Sequence, residues 1–118
     1  MLVRIGKTTD VAVGEMRVFE VEGARVNVAN AGGRLYAFDD ACTHMGCSLA
    51  EGKLEGTTVT CACHGSQFDV TSGDVLRGPA QRPVRSRTVR VDRDELLAES
   101  GASTTDKATT QSSGEDLP

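Results

Sequence analysis

The sequence predicts a small all-β domain, an antiparallel sandwich or barrel, with a subdomain built on two loops rich in cysteine and histidine. Three observations carry this prediction. Apolar residues recur at alternate positions in short runs, and clusters of Gly, Asp and Asn interrupt those runs at close spacing. All four cysteines and both histidines fall between Cys42 and His64. A period of two marks a half-buried strand, and many short strands at close spacing belong to sandwiches and barrels.

The elements follow in order. Glu15 to Val21 alternates with one irregularity, which turns Met16, Val18 or Phe19, and Val21 towards a core. Ala24 to Ala29 alternates cleanly, and Arg34 to Phe38 follows after Asn30-Ala31-Gly32-Gly33, a hairpin signal. Further strands are expected at Thr57 to Cys61, Gln67 to Val70, Val75 to Leu76 and Thr88 to Val91. Turns are expected at Glu51-Gly52, Glu55-Gly56, Ser72-Gly73-Asp74 and Gly78-Pro79. Asp92 to Ser100 is the only segment that reads as helical, and it is short enough to be a final strand or a frayed turn. From residue 100 to 118 the chain is polar, rich in Ser and Thr, and nearly free of large apolar side chains. It buries too little to offset its ordering entropy, so residues 1–99 are expected to form the domain and 100–118 a disordered tail.

A chain of 118 residues has room for one domain and one core. With no Trp and only Phe19, Tyr36, Phe38 and Phe68 as aromatics, that core must rely on Val, Leu and Ala. A bound cofactor or a covalent staple would help to stabilise it. The net charge of -4 and a pI near 5.1 give nucleic acid no electrostatic purchase, and a mildly acidic surface suits docking to a basic patch on a protein. The N-terminal residues hold no apolar run of signal-peptide length, and no stretch is long enough to span a bilayer. The expected setting is the cytoplasm, with no membrane partner and nothing to indicate more than a monomer. In a reducing compartment, cysteines in short motifs with histidine are more often metal ligands than structural disulfides.

The first of those motifs is Cys42-Thr43-His44-Met45-Gly46-Cys47 and the second is Cys61-Ala62-Cys63-His64-Gly65-Ser66, with sixteen residues between His44 and Cys61. Structural zinc sites usually pair like with like, as C-x₂₋₄-C and H-x₃₋₅-H. Here each motif mixes one Cys with one His, as C-x-H and C-x-x-H, so two loops would each give one thiolate and one imidazole. The haem attachment run C-x-x-C-H is absent.

With these two motifs and a linker of this length, the sequence resembles the Rieske iron–sulfur family over roughly Leu2 to Val91. The resemblance implies one [2Fe–2S] cluster, with Cys42 and Cys61 on the inner iron and His44 and His64 on the outer, more exposed one. It also implies that Cys47 and Cys63 match the extra cysteine pair of respiratory and photosynthetic Rieske proteins, which forms a disulfide between the cluster loops. Many soluble Rieske ferredoxins lack that pair. Limited access would shield such a bridge from cytoplasmic reductants. Gly65-Ser66-Gln67-Phe68 resembles the family's G-S-x-Y segment, whose serine and tyrosine hydroxyls bond to cluster sulfurs and raise the potential. Phe68 has no hydroxyl, so one of those two bonds is missing. The expected potential therefore lies between those of respiratory Rieske proteins and low-potential ferredoxins, inside the roughly -150 to +300 mV Rieske range. Gly78-Pro79-Ala80 resembles the family's proline loop, and Pro79 would stiffen that cover over the cluster.

The function implied is one-electron transfer. A Rieske oxygenase needs a further iron held by two His and one carboxylate, and both histidines here are already used. No nucleophile–base pair is evident, so the chain reads as a carrier rather than an enzyme. The leading expectation is a ferredoxin passing electrons from a reductase to an oxygenase. A small redox subunit of a larger oxidoreductase, such as arsenite oxidase or nitrite reductase, is the alternative that the extra cysteine pair keeps open. A zinc-binding structural module is the third, and it would be colourless.

Overall fold

The computed structural model describes residues 2–99; the tail expected from residue 100 lies outside the described residues. Eleven strands appear in this range: β1 (Leu2–Lys7), β2 (Met16–Val21), β3 (Ala24–Ala31), β4 (Arg34–Asp39), β5 (Lys53–Glu55), β6 (Thr58–Thr60), β7 (Gln67–Asp69), β8 (Val75–Arg77), β9 (Ser86–Arg87), β10 (Val89–Asp92) and β11 (Glu95–Glu99). They form three antiparallel sheets, ordered β1-β11-β10, β2-β3-β4-β9 and β5-β6-β7-β8. The third sheet and its loops are inserted between β4 and β9, and this insertion is the two-loop subdomain.

Sheet β2-β3-β4-β9 is the middle layer, because its two faces feed different cores. On one face Val21, Val26, Val28 and Ala37 pack with Leu96 of β11 and with Val3 and Ile5 of β1. On the other, Ala29 and Phe38 pack with Leu49, Val59, Phe68 and Val84 around the subdomain. This corrects the expectation of a single core. It also removes the irregularity expected in β2, which pairs with β3 without a break while Phe19 and Val21 face one core and Met16 the other. Residues Val26 to Asn30 of β3 are buried without interruption, as expected for a central strand covered on both faces.

The hairpin after β3 is tighter than expected: β3 runs to Ala31, which pairs with Arg34, so Gly32 and Gly33 alone make the turn. Both have positive φ, as a two-residue hairpin turn of this hand requires. The ambiguous segment after Asp92 is a strand. Arg93 and Asp94 turn the chain, and β11 then pairs with both β10 and β1. Strands β1, β5 and β9 add to those expected from sequence.

Candidate functional site: two loops at the tip of the third sheet

Both Cys/His motifs sit at the same end of the subdomain. β4 leads into the first loop, whose flanks Ala41 and Ser48 form an antiparallel bridge. β6 leads into the second loop, and β7 leads out of it. The two loops share one backbone device. The Cys42 N–H donates to the Cys47 carbonyl at 2.8 Å and the Gly46 N–H donates to the Cys42 carbonyl at 2.7 Å. Likewise the Cys61 N–H donates to the Ser66 carbonyl at 2.8 Å and the Gly65 N–H donates to the Cys61 carbonyl at 3.1 Å. Gly46 and Gly65 close these turns with φ of 78° and 82°, where a Cβ would be strained. Within this frame His44 is two residues after its cysteine and His64 three.

The device sorts the donors by depth. Cys42 and Cys61 are free thiols, each 3% exposed and part of the core around the subdomain, the upper core. His44 and His64 are exposed, and their rings meet edge to face with centroids 5.0 Å apart. Cys47 and Cys63 form the disulfide that joins the loops. The sulfurs of Cys47, Cys61 and Cys63 all lie within 4.8 Å of one another. That trio is not a separate metal site, because two of its members are bonded to each other. It places the disulfide against the Cys61 thiol.

A third loop closes over the other two. The buried Ser66 hydroxyl accepts the Ala80 N–H at 3.0 Å. A hydroxyl that accepts from the backbone keeps its own proton to donate. The Thr43 hydroxyl donates to the Arg82 carbonyl at 2.6 Å. Gly78 and Pro79, exposed and joined by a cis peptide, lie in this loop, and Phe68 is fully buried beneath the second motif.

Sequence reading missed the anchor under the first loop. Asp40 is buried, and its Oδ1 accepts from the Asn27 side-chain amide at 3.0 Å and from the Ala50 N–H at 3.0 Å. Its Oδ2 accepts from the Ser48 hydroxyl and lies 3.4 Å from Arg25 Nη2. A buried carboxylate with this many donors pins both ends of the loop to the middle sheet. The signal was present: the β4 alternation that buries Phe38 points residue 40 the same way. Thr43 gave no comparable signal.

Two buried thiols, two exposed imidazoles and a buried hydroxyl with a proton to donate match the donor set of an iron–sulfur centre, not that of a four-cysteine or haem site. The architecture therefore defines a class, the small β-domain that holds an iron–sulfur cluster between two loops. The family model described as the Rieske [2Fe-2S] domain matches residues 1–88. The chain is 36% identical over 98 residues to the ferredoxin component of biphenyl 2,3-dioxygenase from Rhodococcus jostii, covering 83% of this chain and 92% of that one. It is 31% identical over 93 residues to the cytochrome b6-f complex iron-sulfur subunit of Chlorobaculum thiosulfatiphilum, covering 79% of this chain and 50% of that one. Among solved structures it resembles the ferredoxin of carbazole 1,9a-dioxygenase from Nocardioides aromaticivorans, with a TM-score of 0.82 and 29% identity over 86% of this chain and 99% of that one. The chain belongs to the Rieske [2Fe–2S] family. It is accordingly an electron-transfer protein that carries one [2Fe–2S] cluster, and not itself the catalyst.

Proposed function

We propose that this chain is a ferredoxin that takes one electron from a reductase and delivers it to an oxygenase or a similar redox partner. The observation that carries the reading is the sorting by depth: two unbonded thiols buried in the core beneath two exposed imidazoles. In this reading Cys42 and Cys61 hold one iron and His44 and His64 hold the other. The bound cluster supplies a reversible one-electron couple. The chain's residues do the rest. The upper core around Cys42 and Cys61 keeps water from the sulfur side. His44 and His64 present the edge that a partner can approach, and Ser66 directs its proton into the site from beneath Ala80. Pro79 belongs to the cover, and Phe68 fills its place without a hydroxyl.

Residues 1–99 are the functional unit of this proposal, acting as a monomer in the cytoplasm. The dioxygenase ferredoxin relatives support that setting, and no helix among the described residues is long and apolar enough to cross a membrane. The test is stopped-flow mixing of the dithionite-reduced protein with the oxidised terminal oxygenase of a ring-hydroxylating dioxygenase system. Reoxidation of this chain with matching reduction of the oxygenase is the expected result. No transfer at any oxygenase concentration would count against the reading.

The Cys47–Cys63 disulfide and the similarity to a cytochrome b6-f iron-sulfur subunit favour a second reading, a Rieske subunit of a larger oxidoreductase. Stable co-purification with a large subunit from the native host separates it from the first.

A further inference from the structure

The net charge of -4 implies a partner with a basic face, but the charge is not evenly spread. The two Cys/His loops contain no Asp, Glu, Lys or Arg, so the charge around the imidazoles is set by their neighbours. Strand direction decides which neighbours those are. β6 runs up to Cys61 and β7 runs down from Ser66, so Thr60 and Gln67 mark the loop end of the third sheet. Lys53 pairs with Thr60 and Arg77 pairs with Gln67, which puts one cation at the loop end of each edge strand. Glu55 pairs with Thr58, Thr58 pairs with Asp69, and Asp74 precedes β8, so these acids stand at the opposite end. The covering loop adds Arg82, whose carbonyl is held by Thr43 next to His44. From Val75 to Val91 the chain has five arginines and no acid. Lys53, Arg77 and Arg82 are exposed, and none of them takes part in a salt bridge among the described residues. Of the acids next to the first loop in sequence, Asp40 is buried and held by Asn27, Ser48 and Ala50, Asp39 is paired with Arg87, and exposed Glu51 lies on the β5 side away from Arg77. Met45, next to His44 in the first loop, and Leu76, next to Arg77 in β8, are exposed apolar side chains.

We propose that the redox partner docks over His44 and His64 with a carboxylate-bearing face, drawn by Lys53, Arg77 and Arg82 against the sign of the chain's net charge. This rests on the carrier reading and specifies the partner's chemistry. Charge near the electron exit steers encounter and sets its salt dependence, whereas charge beyond a Debye length is largely screened.

Small redox reagents measure that local charge without a known partner. The dithionite-reduced holoprotein gives one electron either to ferricyanide, a trianion that becomes ferrocyanide, or to tris(1,10-phenanthroline)cobalt(III), a trication that becomes the cobalt(II) complex. Raising ionic strength from about 10 to about 300 mM should slow the ferricyanide reaction roughly three- to ten-fold and speed the cobalt reaction. Reversal with Arg77→Glu and Arg82→Glu together should invert both slopes, and the milder Arg77→Gln with Arg82→Gln should flatten them. Arg34→Glu reverses one charge, half the change of the double reversal, at the start of β4, about 20 Å along that strand from the first loop, and should leave the slopes within two-fold of wild type, whereas Arg77→Glu alone, with the same charge change, should move both. Substitution-inert hexacyanochromate(III) gives a readout that needs no electron transfer, and it should broaden the amide resonances beside Arg77 and Arg82 first. Ferricyanide accelerated by salt, slopes unmoved by the double reversal, or broadening confined to other arginines would overturn the proposal. A holoprotein that reduces neither reagent would count against the carrier reading instead, and the chromium broadening would still decide the charge.

Discussion

At the scale of single residues, the site is tuned by which hydroxyls reach it. The Ser66 hydroxyl accepts the Ala80 N–H, which leaves its own proton for the proposed site, while Phe68 is buried without a hydroxyl where the resemblance to the G-S-x-Y segment would put a second donor. A donor to a cluster sulfur stabilises the more negative, reduced state and raises the potential. One net hydrogen bond of about 0.5–1.5 kcal/mol corresponds to roughly 20–60 mV for a one-electron couple. Ser66→Ala should therefore lower the midpoint potential by that order, and Phe68→Tyr should raise it by a similar amount. Voltammetry on the two purified variants checks both signs; a rise in Ser66→Ala would contradict the role given to this hydroxyl.

At the scale of elements, the loops are positioned by three ties. Asp40 fixes the first loop to β3 through Asn27, the disulfide joins the first loop to the second, and Thr43 and Ser66 fasten both to the third. The disulfide spans 16 residues, a separation for which cross-linking contributes about 3 kcal/mol by constraining the unfolded chain. It also ties up two sulfurs that lie beside the Cys61 thiol, a proposed iron ligand. The Cys47→Ser, Cys63→Ser double variant should lose stability of that order in urea and release iron several-fold faster to a chelator. Unchanged iron release would show that the hydrogen-bonded ties suffice. Legibility differed among these elements for physical reasons. Metal ligation demands particular residue types at short spacing, so Cys42, His44, Cys61 and His64 stood out as one constellation, and the structure brings their loops together. The disulfide pair was legible only through resemblance. The alternation of β4 marked Asp40 as inward-facing but not its partners, and the tie from Thr43 joins residues 39 positions apart, a contact of which an ordinary threonine carries no mark.

At the scale of the whole molecule, one middle sheet serves two cores with different duties. Its lower face and β11 make a structural base, and its upper face supports the buried thiols. Leu96 is fully buried in the base core. Leu96→Ala should cost about 2–5 kcal/mol of stability and leave the midpoint potential and the reduced EPR line shape unaltered. A changed line shape would mean that the two cores are coupled. This division was not legible from sequence. A strand buried on both faces still alternates when its polar members, here Asn27 and Asn30, are satisfied inside, so β3 read as half-exposed. The segment from Glu95 to Glu99 is rich in helix formers, and pairing with β1 and β10 overrides that local preference. Overall charge was likewise a poor guide to the docking end, because strand direction separates the cations from the acids.

The most direct test of the central claim is EPR with iron and sulfide analysis on anaerobically purified protein, before and after dithionite. The account predicts a brown protein with about two irons and two sulfides per chain and a rhombic signal of low average g that appears only on reduction. A colourless protein that retains one zinc per chain would contradict it.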